Sequence, residues 1–279
     1  MKKIVLSLFV AAIALTTNAQ VKTPAPSPSS KLEQKVGLTD VTVEYSRPGM
    51  KGRTIFGDLV PYGKTWRTGA NQNTKVTFSD DVTIDGKTLK KGTYALFTVP
   101  NKTSWDVMFY NDTNNWGTPQ KWDETKVALK TSAKVENMPM KIESFTITID
   151  DLKNDSAVLG MLWENAYVGV KFNTPTDKGV EASISKIMSG PAASDYYDAA
   201  VYYLTANKDI NKAKNWIDKA VELTNEKPRF WYIHQQALIY KKAGDKKMAK
   251  KAAMRSLELA KKAKYAAYIK KNEDLLKTL

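Results

Sequence analysis

The sequence predicts two domains, a mainly antiparallel β-sandwich followed by a C-terminal α-helical domain of stacked repeats, on three observations. Short runs with strand character recur from about Val36 to Asn173. The composition turns helix-forming after Pro175, and a pair of stretches in this helix-forming region match at an offset of 36 residues. A chain of 279 residues with 42% apolar content is long enough for two ordinary cores.

At the N-terminus, Lys2 and Lys3 precede an apolar run from Ile4 to Leu15, which leads to Thr17-Asn18-Ala19 and Gln20. This pattern predicts a secretory signal peptide over residues 1–19, cleaved after Ala19, and hence an exported protein, periplasmic or extracellular. The run is shorter than the roughly 20 residues a membrane-spanning helix needs, and no later segment reaches that length without charges, so a soluble mature protein is expected. There is no cysteine, which excludes both an acylated-cysteine anchor and disulfides. Residues 21–30, VKTPAPSPSS, offer nothing to bury; they read as a solvated tether, belonging to a Pro/Ser-rich linker over residues 20–35, rather than as a recognition motif.

The sandwich is placed over residues 36–174. Strands are expected at 41–46, 74–79, 93–99, 105–110, 126–135, 142–149, 157–163 and 167–172. Asp85-Gly86, between Val82-Thr83-Ile84 and Lys87-Thr88-Leu89, predicts a tight hairpin turn, and residues 151–155 a second reversal, so most neighbours should be antiparallel. Alternation puts Val41, Val43 and Tyr45 on a buried face and Thr42, Glu44 and Ser46 on a wet one. By the same rule Phe145, Ile147 and Ile149 face inward.

Residues 175–190 read as a connection with a short helix near 180–188 and a Ser189-Gly190-Pro191 break, and residues 191–279 as the repeat domain. Val201, Leu204, Ala213, Ile217 and Ala220 correspond to Ala237, Tyr240, Ala249, Ala253 and Ser256. In the second copy these positions, with Gly244, have the small and aromatic spacings of a helix-turn-helix unit that resembles the tetratricopeptide repeat (TPR), whose usual period is about 34. The first copy has Lys208 where the turn glycine would stand. Ala249, Ala252, Ala253 and Ser256 form a stripe that lets a neighbouring helix approach closely. Two stacked units are marginal alone, so a final helix from about 265 to 276 is expected to cap them. The TPR-like resemblance implies a protein partner, with Trp231, Tyr240, Lys247 and Lys251 as candidate contacts.

Lys and Arg number 43 against 29 Asp and Glu, a formal net charge of +14. Residues 191–279 hold 19 against 10, and residues 20–190 hold 22 against 19, so the helical region carries most of the surplus. The lysine pairs at 246–247, 250–251 and 261–262 suit an acidic protein or lipid headgroups, or form a plain solvated face. Intracellular nucleic acid is not a partner an exported chain meets.

Catalysis is approached by elimination. The single histidine, His234, falls in the helical region, which leaves the sandwich without a Ser-His-Asp or Cys-His set and without imidazole or thiolate metal ligands. His234 itself reads as a surface or packed helix residue. No catalytic residue, cofactor or metal is therefore assigned. Glu44, Asp58, Asp106 and Glu164 could serve glycoside hydrolysis if two of them stood about 5 to 10 Å apart, but outward strand or loop positions explain each as simply. Asn111, Asp112, Asn114 and Asn115, and again Asp150, Asp151, Asn154 and Asp155, cluster oxygen donors without EF-hand spacing; turn formation accounts for both.

The most unusual stretch is residues 45–71, YSRPGMKGRTIFGDLVPYGKTWRTGAN, which sets Arg47, Arg53 and Arg67 among Tyr62 and Trp66 on backbone broken by glycine and proline. Arginine offers a planar fork for carboxylate or phosphate, and Tyr62 or Trp66 a flat face for a sugar. Arg47, Arg53, Tyr62, Trp66, Arg67 and Asn71 are therefore the candidate site for an anionic or glycan-like ligand. The alternative is that the arginines pair with Glu44 and Asp58 and the aromatics fill the core. The segments Tyr45-Ser46-Arg47-Pro48, Lys51-Gly52-Arg53, Phe56-Gly57, Val60-Pro61-Tyr62-Gly63 and Trp66-Arg67-Thr68-Gly69-Ala70-Asn71, followed by Gly92-Thr93-Tyr94, Leu96-Phe97, Pro100, Trp105 and Trp116-Gly117, resemble the bacterial family called domain of unknown function 2911 (DUF2911), over roughly residues 27–172. That resemblance implies no established activity. The expectation is an exported binding or scaffolding protein without catalysis; a carboxylate-dependent glycan hydrolase and a purely structural envelope protein are the alternatives.

Overall fold

Alternating apolar residues organise the N-terminal region into nine strands in this computed structural model, which describes residues 23–188 and 190–279. The signal peptide expected over residues 1–19 lies outside the described residues. The strands are β1 Ser29–Val36, β2 Thr39–Ser46, β3 Thr74–Phe78, β4 Val82–Ile84, β5 Lys87–Leu89, β6 Gly92–Pro100, β7 Ser104–Tyr110, β8 Val127–Asp150 and β9 Ser156–Asn173. Six helices follow: α1 Thr176–Ile187, α2 Ala193–Thr205, α3 Ile210–Leu223, α4 Phe230–Lys242, α5 Lys246–Lys262 and α6 Ala266–Leu276. No helix among the described residues is long and apolar enough to cross a membrane. The chain divides into two compact units, one of residues up to 35, 40–152 and 157–173, the other of residues 36–39, 153–156 and 174–279.

The β-then-α organisation holds, with the strands joined into one nine-stranded sheet of order β1-β2-β3-β6-β7-β8-β9-β4-β5. The pairings from β2 onward are antiparallel. The long strand β8 joins the two halves: residues 127–134 pair with β7, and residues 135–150 with β9. The runs expected at 126–135 and 142–149 are thus one strand, as are those at 157–163 and 167–172, each pair bridged where the register shifts. Val41, Val43, Tyr45, Phe145, Ile147 and Ile149 are buried as alternation requires. Asp85 and Gly86 both have positive φ, 47° and 74°, which a two-residue hairpin turn demands. The linker expected through residue 35 ends earlier, because β1 begins at Ser29 beside β2.

In the helical unit the two matching stretches occupy equivalent places. Ala213, Ile217 and Ala220 on α3 and Ala249, Ala253 and Ser256 on α5 are all fully buried. Asp209 and Asp245 cap α3 and α5 by accepting from the amides of Asn211 (2.9 Å) and Met248 (3.0 Å). The left-handed turn residue of the first copy is Asn207 (φ 52°), one position before Lys208, because asparagine tolerates this conformation where most side chains do not. Lys208 instead reaches Asp177 (3.1 Å) and Glu181 (3.3 Å) on α1.

His234 is packed inside this unit. Asn272, fully buried on α6, donates through Nδ2 to Ser256 Oγ (2.9 Å) and to the Tyr268 carbonyl (2.7 Å), so its Oδ1 is the acceptor facing His234 Nδ1 at 2.8 Å. The histidine therefore carries a proton on Nδ1. Burial holds its pKa below the ordinary value of 6.5, against a smaller opposing pull from Asn272. Below about pH 6.5 the unfolded chain takes up a proton that the folded chain refuses, so stability present at higher pH is lost as pH falls through that value. Thermal unfolding followed by circular dichroism should show a lower midpoint at about pH 5.5 than at about pH 7.5, and His234→Gln should narrow the difference. An unchanged pH slope in the variant would contradict the packing described.

Candidate functional site

Between β2 and β3 the backbone is irregular, and it is held by borrowing the free edges of strands. Met50 donates to the Glu143 carbonyl (2.8 Å) and Phe145 to the Pro48 carbonyl (2.9 Å), which lays residues 48–50 along β8. Further on, Trp66 and Thr98 exchange backbone hydrogen bonds of 2.7 and 2.9 Å, and Gly63 donates to Pro100, which lays residues 63–66 along β6. The stretch between these anchors drops two rings, Phe56 and Trp66, onto Trp105, Phe145 and Trp163. Phe56 lies 4.8 Å from Trp105, Trp66 lies 5.2 Å from Phe145, and Trp66 stacks 5.8 Å from Trp163. Trp66 is accordingly half-buried within this aromatic cluster, its indole N–H donating to the Gly69 carbonyl, so its ring is engaged by other rings rather than set out for a ligand.

The three arginines neither converge on a pocket nor pair with Glu44 or Asp58. Arg47 donates from Nε to the Phe145 carbonyl (3.1 Å) and from Nη2 to Thr146 Oγ1 (2.7 Å). Arg53 donates to the carbonyls of Met50 (2.9 Å) and Gly49 (2.7 Å). Arg67 donates to the Asn71 carbonyl at 2.8 Å, and its guanidinium lies so close to Gly117 that a Cβ there would stand 3.2 Å from Nη1. Irregular backbone leaves carbonyl oxygens that no ladder satisfies, and a guanidinium supplies donors for them. Asn71, at φ 60°, likewise ties the Ser27 carbonyl to Ser46 Oγ through its side-chain amide.

Tyr62 is the candidate that stays open, 37% exposed. Its ring lies over Gly57 (φ 93°), where an added Cβ would meet ring carbon at 2.6 Å. It borders a cleft of about 120 Å³ with Phe56, Asn101, Lys102, Asn137 and Glu164. Glu164 has φ 53° within β9, at the point where the register against β8 shifts, a conformation that costs of order 1–3 kcal/mol for a residue with a side chain. Its carboxylate accepts from the amides of Ile55 (3.2 Å) and Phe56 (3.3 Å), so the strained turn of β9 holds the loop that forms the cleft wall. The other acids stand elsewhere: Asp106 pairs with Lys130 (2.8 Å), Asp58 lies on the exposed loop, and Glu44 borders a separate cleft.

The candidate protein contacts divide. Lys247 and Lys251 are exposed on α5, and Trp231 is half-buried with the Arg229 guanidinium 5.9 Å from its ring. Tyr240 is not available to a partner: it is buried, and its hydroxyl donates to Asp218 at 2.7 Å. Burial, together with that carboxylate, raises its pKa. The turn acids have local roles, as Asp112 accepts from the Asn114 amide (3.3 Å) and pairs with Lys126 (3.1 Å).

The role of Glu164 as a loop clamp is absent from the sequence pattern except for one signal, Trp163-Glu164-Asn165, a polar interruption in an otherwise alternating strand. Glu164→Ala should lower unfolding stability in urea by about 2 kcal/mol, since two amides lose a charged acceptor, and Glu164→Gln by less than half as much. Wild-type stability in the alanine variant would contradict this assignment.

Residues 27–172 match the family described as Protein of unknown function (DUF2911). Neither the curated proteins nor the solved structures contain a match to the chain. The family match spans more than half of the sequence, and the chain belongs to that family.

Proposed function

We propose that this member of the DUF2911 family is an exported, non-catalytic binding protein whose sheet unit holds a glycan-like ligand in the cleft beside Tyr62. Its helical unit, read as a TPR-like pair closed by a final helix, binds a segment of protein. The observation that carries the ligand reading is the engagement of all three arginines with internal acceptors, while Tyr62 remains open beside the amides of Asn101, Asn137 and Asn165. An aromatic ring for the apolar face of a sugar, with amides for its hydroxyls, is the chemistry that recognises saccharides. An anion at the arginines has less support, because each guanidinium already donates to at least one internal oxygen.

Export rests on the basic and apolar pattern of residues 1–19. The repeat reading is supported by buried small residues and capping aspartates that recur 36 positions apart. A hydrolase would need two acids across one cleft, whereas Glu164 is the single carboxylate lining the Tyr62 cleft and is engaged by two backbone amides.

Calorimetric titration of the mature chain with a panel of neutral oligosaccharides tests the reading. At least one should bind without being cleaved, and Tyr62→Ala should weaken that binding by about tenfold, or about 1.4 kcal/mol. Cleavage of a bound oligosaccharide, or affinity indifferent to the loss of Tyr62, would overturn it.

A further inference from the structure

A second cleft lies beside β1, β2 and β3, with a volume of about 360 Å³, and all its lining side chains carry polar atoms. We propose that it binds a small hydroxylated carboxylate of the sugar-acid type. This inference does not rest on the Tyr62 cleft, with which it shares no lining residue.

Asn73 carries the argument. It is 3% exposed, and its backbone N–H donates to the Asn115 carbonyl at 3.0 Å. Its Oδ1 accepts from the Asn115 amide at 2.8 Å, which fixes the orientation of the side chain, because a flipped amide would set donor against donor. The remaining atom, Nδ2, is buried with no hydrogen-bond partner among the described residues. Native structures leave few such donors unmet, and each needs an explanation. Asn73 is one of the residues that line the polar cleft.

Lys75 stands two residues further on, at the position of β3 that faces Glu44 of β2. Lys75 is half-buried, and among the described residues its side chain has no ion pair and no hydrogen bond, in contrast to Lys31 on the same cleft, which is taken by Glu33 at 2.5 Å. The side chains of Glu44 and Gln72 likewise make no hydrogen bond or ion pair among the described residues.

A ligand that completes this site must bring an acceptor oxygen for Asn73 Nδ2, a negative charge for Lys75, and hydroxyl groups that donate to Glu44 and bond to Ser29, Ser30 and Gln72. A carboxylate supplies the first two and a sugar ring the third. Inorganic phosphate brings charge but fewer donors for Glu44, and a neutral sugar brings hydroxyls but nothing for Lys75. Tyr45, the aromatic residue of the lining, is buried with its ring edge-on to Phe145, so an apolar ligand finds no open ring on which to stack.

The test titrates the full mature chain with D-galacturonate, D-galactose and inorganic phosphate, following binding by calorimetry. Galacturonate should bind, with galactose and phosphate each at least about tenfold weaker. Lys75→Gln should weaken galacturonate by about tenfold, and Asn73→Asp, which keeps the acceptor for Asn115 but replaces the donor with a carboxylate oxygen, should abolish it. Asn73→Asp can also unfold the chain, so Lys75→Gln, checked for an unchanged circular dichroism spectrum, decides the outcome. Tyr62→Ala should leave galacturonate binding as it is. The proposal is overturned by no galacturonate binding, by galactose or phosphate binding the Tyr62→Ala chain as tightly as galacturonate does, by indifference to Lys75→Gln, or by loss of galacturonate binding in Tyr62→Ala.

Discussion

Backbone that belongs to no ladder must still satisfy its carbonyl and amide groups, and the segment between β2 and β3 meets that constraint with side chains. Arg53 and Arg67 supply donors to carbonyls of the segment, Arg47 ties it to the Phe145 carbonyl of β8, and Glu164 supplies an acceptor to two amides. The borrowed edges of β6 and β8 supply the rest. With the segment fixed in this way, Phe56 and Trp66 close the aromatic cluster over Trp105 and Trp163, and Tyr62 is left standing at its border. The cleft is therefore a consequence of how an irregular loop is pinned.

Elements with a strong period are legible in the sequence. The buried face of β2, the turn at Asp85-Gly86 and the recurring alanines of α3 and α5 follow from alternation, turn chemistry and helical spacing. β1 is not legible, because an edge strand has one side without a partner, and its alternation of exposed and half-buried residues lacks an apolar signature. The lengths of β8 and β9 are hidden for a different reason. Pro139 and the polar residues around it, like Glu164 and Asn165, look like turn formers, yet the ladder shifts register and continues through them.

The site is legible as a place and not as a chemistry. Residue types locate the unusual segment, but a guanidinium fork fits carbonyl oxygens as well as it fits a carboxylate, and only the fold decides which acceptor is near. Tyr240 illustrates the same limit in the helical unit, where an aromatic singled out by its spacing is a buried donor to Asp218. Asn73 shows the reverse: a residue with no sequence signal becomes notable because one of its atoms has no partner among the described residues.

Hydrogen exchange in the chain carrying Arg47→Gln and Arg67→Gln together tests the central claim, that these arginines pin the loop. The account predicts faster exchange at the amides of Met50 and Phe145, which form the crossing to β8, with saccharide affinity at the Tyr62 cleft reduced no more than the loosened loop requires. Unchanged exchange at both amides, accompanied by complete loss of ligand binding, would contradict it and return the arginines to the ligand.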